Sequence, residues 1–224
     1  MPTIPAHKTT REIVERFDTA EAAEKYSRSL PGTTTHRREA RCIRKALGEL
    51  PRGSKVIDLP CGTGRLLPLL NNMGFHITAS DSSKHMVELA RNYAEKVAIN
   101  TNQVRFLVAN VFETPFEDNE FDGVICNRLI HHFPASDDRR NALAELKRIC
   151  KGPIVVSFFC NLAYDSVVFH FRNAISREKA SDRIPIGYGV FARDVAASGL
   201  RIKKTCAARP GISKQWYALL EGRG

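Results

Sequence analysis

The residues best suited to do chemistry are a glycine-containing turn and an acid that follows it. Asp58-Leu59-Pro60-Cys61-Gly62-Thr63-Gly64 comes directly after an apolar run. Gly62 and Gly64 remove side chains where a ligand must approach the backbone, and a helix that begins there offers free N–H groups. Asp81 lies 19 residues after Gly62, at the end of the next apolar run, where an acid meets ribose hydroxyls. The pair predicts a nucleoside site, whereas the turn alone is also compatible with a simple connector.

The residues after the turn exclude one class of nucleotide. A triphosphate-binding loop ends in Lys followed by Ser or Thr, because the lysine neutralises phosphate charge. Here Gly64 is followed by Arg65 and Leu66. The sequence therefore predicts a nucleoside ligand without a triphosphate.

Alternating strands and helices surround this turn. Strands are predicted at 55–59, 75–79, 104–109, 121–126 and 153–159, with helices near 65–73, 82–98 and 137–150. Such alternation is typical of βαβ units, and hence of an α/β fold with a parallel sheet covered on both faces.

The two ends of the chain follow a different pattern. Thr9 or Thr10 begins one predicted helix, and a second runs from about residue 35 to residue 50, so residues 1–50 are predicted to form a helical extension. Further on, we expect an irregular or helical segment at 161–188, a short helix at 192–198 and a closing hairpin from 201–208 and 215–220.

Four motifs in order resemble the class I S-adenosylmethionine-dependent methyltransferases, specifically their small-molecule branch. The first is the turn 58–64, with Pro60 where glycine is commoner. The others are Asp81-Ser82-Ser83, Val108-Ala109-Asn110-Val111, and Phe121-Asp122-Gly123-Val124-Ile125-Cys126-Asn127 followed by Leu129-Ile130-His131-His132-Phe133. The resemblance implies one Rossmann-like, doubly wound domain over residues 1–224, with seven strands, mostly parallel, and an antiparallel C-terminal hairpin.

The resemblance also implies a binding role for each matching residue. S-adenosyl-L-methionine would be the cofactor, and S-adenosyl-L-homocysteine the product. The methionine portion would lie against the turn and Asn127, the ribose against Asp81, and the adenine against Ser82, Asn110 and Val111. The implied cofactor residues in the turn are Asp58, Pro60, Gly62 and Gly64.

The resemblance further implies an arginine for the methionine carboxylate, on the helix before the first strand. Arg41, 17 residues before Asp58, fits that spacing, and Arg37 and Arg38 remain alternatives. Taken alone, each arginine is more readily explained as a solvated surface charge.

Two adjacent histidines are the candidate catalytic residues. Methyl transfer from a sulfonium is an in-line displacement in which positioning supplies much of the acceleration, so a base is needed only for a protonated acceptor. His131 and His132 follow the fourth predicted strand, at the edge where ligands bind, and imidazole accepts a proton near neutral pH. The alternative is that they only pack or begin a helix.

The acceptor is less constrained by the sequence. Residues 127–130 lack the Pro-Pro-aromatic motif of base amino methylation, and Cys126 lies inside a strand, which disfavours a cytosine-C5 nucleophile. The segment 161–188 is predicted to cover the substrate and suits an aromatic or anionic small molecule, unless it is a helix packed on the sheet. Its candidate substrate residues are Tyr164, Phe169, His170 and Arg172.

Composition adds limits on partners and compartment. The net charge of +10 divides into +5 for residues 1–55, −5 for 56–138 and +10 for 139–224. A basic face favours anionic partners, or simply keeps the protein soluble. The six cysteines lack zinc spacing, which predicts reduced thiols and no metal, and no apolar stretch is long enough to span a membrane. With no secretion signal, we expect a cytoplasmic protein.

Three functions remain open at this point. The first is a methyltransferase for a small molecule, directed at oxygen or nitrogen. The second is an RNA methyltransferase, which should cluster Lys and Arg at the cofactor mouth. The third is a non-catalytic partner protein that binds S-adenosylmethionine; a nicotinamide-dependent enzyme is a more remote fourth. The oligomeric state does not follow from the sequence.

Overall fold

A mixed seven-stranded sheet forms the centre of the molecule. The computed structural model describes residues 33–100, 103–166, 168 and 185–223. Their strand order is β3-β2-β1-β4-β5-β7-β6. The strands are β1 Lys55–Asp58, β2 His76–Asp81, β3 Val104–Val108, β4 Gly123–Cys126, β5 Ile154–Phe159, β6 Leu200–Ala207 and β7 Gln215–Gly222. The first five pair in parallel, and β7 pairs antiparallel with both β5 and β6.

Five α-helices cover the two faces of this sheet. They are α1 Thr34–Leu47, α2 Leu67–Asn72, α3 Lys84–Lys96, α4 Ser136–Arg148 and α5 Tyr188–Ala197. Apolar residues of α1, α2 and α3 form one core with Val155, while those of α4 and α5 form the other with Val156. Neighbouring residues of β5 thus point into different cores, because side chains alternate along a strand. This explains why β5 is apolar throughout.

The parallel connections bring chemically active residues to one edge of the sheet. Because each crossover returns to the same side, the carboxyl ends of β1 to β5 lie together. Asp58 ends β1, Asp81 ends β2, and Asn127 directly follows β4. We call this side the carboxyl edge.

Helix α1 runs against the direction of the strands. Glu39, near its start, contacts Arg128, which follows β4. At its other end, Leu47 and Leu50 lie against Gly123, the first residue of β4; a Cβ at Gly123 would come within 2.8 Å of Leu50 Cδ1. The helix therefore begins at the carboxyl edge and ends at the opposite edge.

A disulfide joins α1 to the last part of the sheet. Cys42 of α1 is bonded to Cys206 of β6, with 5.8 Å between their Cα atoms and 164 residues between them in sequence. The expectation of reduced thiols is therefore wrong for this pair, because the fold brings two distant segments together. The four free cysteines, at 61, 126, 150 and 160, are all buried.

The predicted fold class is confirmed, including the closing antiparallel hairpin. Strand bounds agree to within about two residues, the usual disagreement at element ends. The first predicted helix, beginning at Thr9 or Thr10, lies outside the described residues. In the part of the chain that is described, no helix combines the length and apolar character needed to cross a bilayer.

Candidate functional site

The glycine turn is held in shape by the strand beside it. The Leu59–Pro60 peptide is cis, and Gly62 and Gly64 have φ of +52° and +78°, in the left-handed region that favours glycine. The Cys61 N–H donates to the Ser80 carbonyl at 2.7 Å, and the Gly62 N–H donates to Asp81 Oδ2 at 2.9 Å. The end of β2 therefore fixes the backbone that a ligand would approach.

The two glycines of the turn face different surroundings. A Cβ at Gly62 would have no atom within 4 Å, so this position opens onto empty space. A Cβ at Gly64 would lie 2.8 Å from Leu67 Cδ1 and 3.0 Å from Ala90 Cα. Gly64 thus lets the turn pack against α2 and α3, whereas Gly62 borders a space that a ligand can fill.

Asp58 is a buried acid beneath the turn. Its side chain is 1% exposed, and neither carboxylate oxygen has a hydrogen-bond partner among the described residues. Burial raises its pKa to about 8; the Arg65 guanidinium opposes this shift and the Asp81 carboxylate adds to it. A buried carboxylate without a partner is costly, and a cationic ligand group beside it would remove that cost.

Asp81 holds the turn and the start of α3 through both of its carboxylate oxygens. Its Oδ2 accepts from Gly62 N, and its Oδ1 accepts from Ser83 N at 3.0 Å. A carboxylate has about four acceptor positions, so it can also accept from a vicinal diol such as that of ribose. The neighbouring Ser82 is half-buried.

The predicted adenine residues follow β3. Asn110 is exposed, and its Oδ1 accepts from the Phe112 N–H at 3.1 Å, which closes a local turn. Val111 is buried. Asn110 and Val111 lie at the carboxyl edge next to Asp81, since β3 pairs with β2 in parallel.

An ion cluster lies where Arg41 was expected to act. Glu39 is fully buried, and its carboxylate contacts the guanidinium groups of both Arg65 and Arg128. Arg65 follows the glycine turn, and Arg128 follows Asn127, with its N–H donating to Ser157 Oγ at 2.6 Å. Two cations therefore share one buried acid at the carboxyl edge, which leaves a net positive charge there.

Arg41 itself is not part of this cluster. Its side chain is exposed, whereas Glu39, Cys42 and Ile43 are buried. Two residues along a helix rotate the side chain by roughly 200°, so Arg41 points away from the face that carries Glu39. The structure thus does not bring Arg41 to this cluster, and its contact with the cofactor stays a prediction. The sequence does carry a signal for the buried Glu39. It is the one acid of an otherwise basic helix, and it falls among the apolar positions of that helix.

Asn127 is held by a residue from the far end of the chain. Its Oδ1 accepts from the Tyr217 hydroxyl at 3.1 Å, and both side chains are buried. Burial raises the pKa of Tyr217 well above its usual value, and the Glu39 carboxylate adds to that shift. Tyr217 therefore stays protonated and can donate to Asn127. Sequence reasoning missed it, because 90 residues separate the pair.

The two candidate catalytic histidines lie in a short 3-10 helix, Ile130–His132, after β4. Their side chains are only 2% and 4% exposed. The His131 ring stacks on Phe159 with 3.8 Å between centroids, and Lys214 Nζ lies 4.7 Å from the same Phe159 ring. His131 thus packs against Phe159, in addition to any role in catalysis.

The predicted substrate residues fall in two groups. Tyr164 is 65% exposed and lies beside the β6–β7 loop, where its N–H donates to the Gly211 carbonyl at 3.1 Å. Phe169, His170 and Arg172 lie outside the described residues. Among the described residues, no group of three potential metal-ligating side chains occurs.

Comparisons with known proteins agree with this geometry. Residues 57–153 match the family described as a methyltransferase domain. The fold resembles magnesium protoporphyrin IX methyltransferase from Synechocystis, solved with bound S-adenosylhomocysteine (TM-score 0.78, 18% identity, 94% of this chain and 98% of that chain). Residues 57–153 thus match a methyltransferase domain, and the fold is that of a methyltransferase solved with S-adenosylhomocysteine.

Two curated relatives extend the comparison. O-methyltransferase rstn1 of Aspergillus nomiae is 36% identical over 101 residues, which are 45% of this chain and 43% of that protein. Probable tRNA methyltransferase 9B of Mus musculus is 33% identical over 107 residues, 48% of this chain and 22% of that protein. The chain spans less than half the length of these relatives.

Proposed function

We propose that this chain transfers a methyl group from S-adenosylmethionine to a small-molecule acceptor, directed at oxygen or nitrogen. The observation that carries the proposal is the buried, unpartnered carboxylate of Asp58 beneath a turn whose Gly62 opens onto empty space. A cationic amino-acid group and a nucleoside diol match Asp58 and Asp81 respectively.

The chain's residues hold the cofactor in this proposal as follows. Asp58 and the backbone of Pro60 to Gly64 bind the methionine portion, and its carboxylate faces the Arg65–Arg128 pair instead of Arg41. Asp81 accepts from the ribose hydroxyls, while Ser82, Asn110 and Val111 border the adenine. Asn127, oriented by Tyr217, borders the methionine or ribose. The bound cofactor supplies an electrophilic methyl group on a positively charged sulfur.

The residues after β4 would act on the acceptor. For a hydroxyl acceptor, the oxygen–carbon bond forms as the carbon–sulfur bond breaks, and the hydroxyl proton passes to neutral imidazole. His131 or His132 is the proposed base, and burial of both excludes water from the proton transfer. Tyr164, with Phe169, His170 and Arg172, is the proposed wall of an acceptor site for an aromatic or anionic molecule.

The cofactor assignment is tested by replacing Gly62. Gly62→Val should abolish S-adenosylhomocysteine binding in calorimetry, because the side chain enters the open space. Gly53→Val is the matched control, since Gly53 also has positive φ (+84°) and nothing within 4 Å of a Cβ. It imposes similar backbone strain away from the carboxyl edge and should keep normal affinity. Normal binding by a folded Gly62→Val protein would refute the assignment.

The catalytic histidine is tested separately. His131→Ala or His132→Ala should lower turnover about 10²–10⁴-fold if that residue is the base, with cofactor affinity intact. Turnover of the unmodified protein should also fall at acidic pH, because only neutral imidazole accepts a proton. If both variants keep normal turnover, the acceptor needs no base and positioning alone carries the reaction.

RNA is a second candidate acceptor, favoured by one observation. The exposed face of α1 carries positive charge and begins at the carboxyl edge. The tRNA methyltransferase relative adds support to this candidate. Assays with tRNA and with phenolic or carboxylic acids as acceptors distinguish the two candidates by where the labelled methyl group appears.

A further inference from the structure

Helix α1 carries a concentration of positive charge that its own fold does not use. Its basic residues are Arg37, Arg38, Arg41, Arg44 and Lys45, and its one acid, Glu39, is buried. All five are exposed except Arg38, which is half-buried. None of them forms an ion pair with a residue that the structure describes.

Some basic residues elsewhere in the described chain are neutralised by an ion pair. Exposed or half-exposed cations on β3, α4, β6 and the loop before β5 each lie within 4 Å of a carboxylate. These residues are Arg105, Arg140, Arg148, Lys151, Arg201 and Lys203. Helix α1 differs in its density of charge, since five cations without an ion pair to a described residue lie within nine residues of one helix.

The arrangement is electrostatically unfavourable for the helix. Arg41 has Arg37 four residues before it and Lys45 four residues after it, and like charges at this spacing repel. Arg37 and Arg38 also lie in the first turn, where the helix dipole disfavours cations, and no acid occurs there. These charges weaken the isolated helix, which points to an anionic partner that offsets their repulsion.

We propose that the outer face of α1 binds the phosphate backbone of RNA. Arg37, Arg41 and the adjacent pair Arg44 and Lys45 form a row along the helix, with about one turn between successive steps. Three of the four are arginine, whose planar guanidinium matches phosphate oxygens with two N–H groups.

One feature favours RNA over an acidic membrane surface. Membrane-binding helices pair their cations with exposed apolar side chains that insert between lipids. The exposed large apolar residues of the described chain lie elsewhere, at Val97, Val108, Leu162, Tyr164 and Ile212. The outer face of α1 therefore carries positive charge but no exposed large apolar side chain that could insert between lipids.

The position of the row links this surface to the methyl donor. Glu39, which lies in the same part of α1 as Arg37 and Arg38, contacts Arg65 and Arg128 at the carboxyl edge. An RNA strand that follows the row thus has one end at the cofactor site. This last step rests on the proposed methyltransferase function, whereas RNA binding by the face does not.

The experiment measures binding of fluorescently labelled tRNA by the full chain at several salt concentrations. The variant is Arg37→Ala/Arg41→Ala/Arg44→Ala. The matched control, Arg91→Ala/Lys96→Ala/Arg105→Ala, removes the same charge from α3 and β3, at the other end of the sheet. Phosphatidylserine vesicles serve as the membrane probe, and S-adenosylhomocysteine calorimetry on every protein reports the cofactor site.

The α1 variant should bind tRNA at least roughly tenfold more weakly, with a log–log salt slope flatter by about 2, or about 0.7 per lost phosphate contact. Its melting temperature should stay the same or rise, because like-charge repulsion is removed, and the control should bind like the unmodified chain. Equal losses in variant and control, no tRNA binding at all, or a preference for vesicles would each overturn the proposal. If the unmodified chain does not bind S-adenosylhomocysteine, the proposed function is overturned, whereas the tRNA result still stands.

Discussion

At the scale of single residues, the state of Asp58 decides how the site responds to pH. Its carboxyl is buried without a hydrogen-bond partner among the described residues, and its pKa is about 8. In the ligand-free protein it is therefore mostly protonated at neutral pH, whereas a ligand ammonium beside it favours the ionised form. Binding of the cofactor should thus release a proton.

We predict that affinity for S-adenosylhomocysteine rises as pH increases from about 6 to about 8, by up to roughly tenfold per unit. The same raised pKa predicts the opposite trend for the ligand-free protein. Between about pH 4 and pH 8 the folded form binds a proton that the unfolded chain has lost, so stability falls as pH rises. Calorimetry and urea unfolding across this range measure both trends.

Asp58→Asn is the control for this prediction, because it keeps the shape of the side chain and cannot ionise. Its affinity should be lower at pH 8, and both trends should be flatter than in the unmodified protein. A flat affinity profile in the unmodified protein would show that Asp58 does not change its charge on binding.

Sequence reasoning assigns a residue when its partners lie nearby in the chain, and it misses a residue whose partners are distant. Asp58, Gly62 and Asp81 were found because they lie at predictable distances along one βαβ unit. Glu39 was missed because its partners, Arg65 and Arg128, lie 26 and 89 residues away. Spacing alone also favoured Arg41, although helical periodicity places it opposite the buried Ile43 and Leu47.

At the scale of elements, α1 is the part of the fold fixed by long-range contacts. The sequence predicted a helix there from its apolar period, but not what the helix contacts. The structure attaches it through Glu39 to the carboxyl edge and through the Cys42–Cys206 disulfide to β6. A pairing across 164 residues requires the fold, since six cysteines alone allow many connectivities.

We predict that reduction of this disulfide lowers stability by about 2–4 kcal/mol, because the cross-link restricts a long loop in the unfolded chain. For a chain of this size, the melting temperature should fall by about 2–4 °C for each kcal/mol. The double variant Cys42→Ser/Cys206→Ser should melt at the lower temperature and be insensitive to reductant. Peptide mapping under non-reducing conditions should recover the cross-linked pair, and its absence would contradict the prediction.

At the scale of the whole molecule, the proposed cofactor site joins segments that belong to both cores. The turn and Asp81 pack with α2 and α3, while the strand ends near Asn127 continue into the core of α4 and α5. A ligand that contacts both sides stabilises the folded state as a unit, because it binds only when these segments are assembled.

S-adenosylhomocysteine at about a hundredfold excess over its dissociation constant should stabilise the protein by about 2.7 kcal/mol. Thermal unfolding should then shift upward by about 5–10 °C. Asp81→Ala loses a charged acceptor for the ribose, so its affinity should fall about tenfold or more and its shift should be smaller at the same ligand concentration. Equal shifts in both proteins would exclude Asp81 as the ribose anchor.

Strand β6 has a consequence for how the protein behaves at high concentration. As the last strand in the order, it leaves one row of backbone N–H and C=O groups without a neighbouring strand. Such an edge can template pairing with another copy, but here Arg201, Lys203 and Lys204 are exposed on it, and its register shifts between Ile202 and Lys204. Two copies meeting at this edge would oppose like charges across an irregular ladder. The strand thus resists growth of the sheet from one molecule into the next.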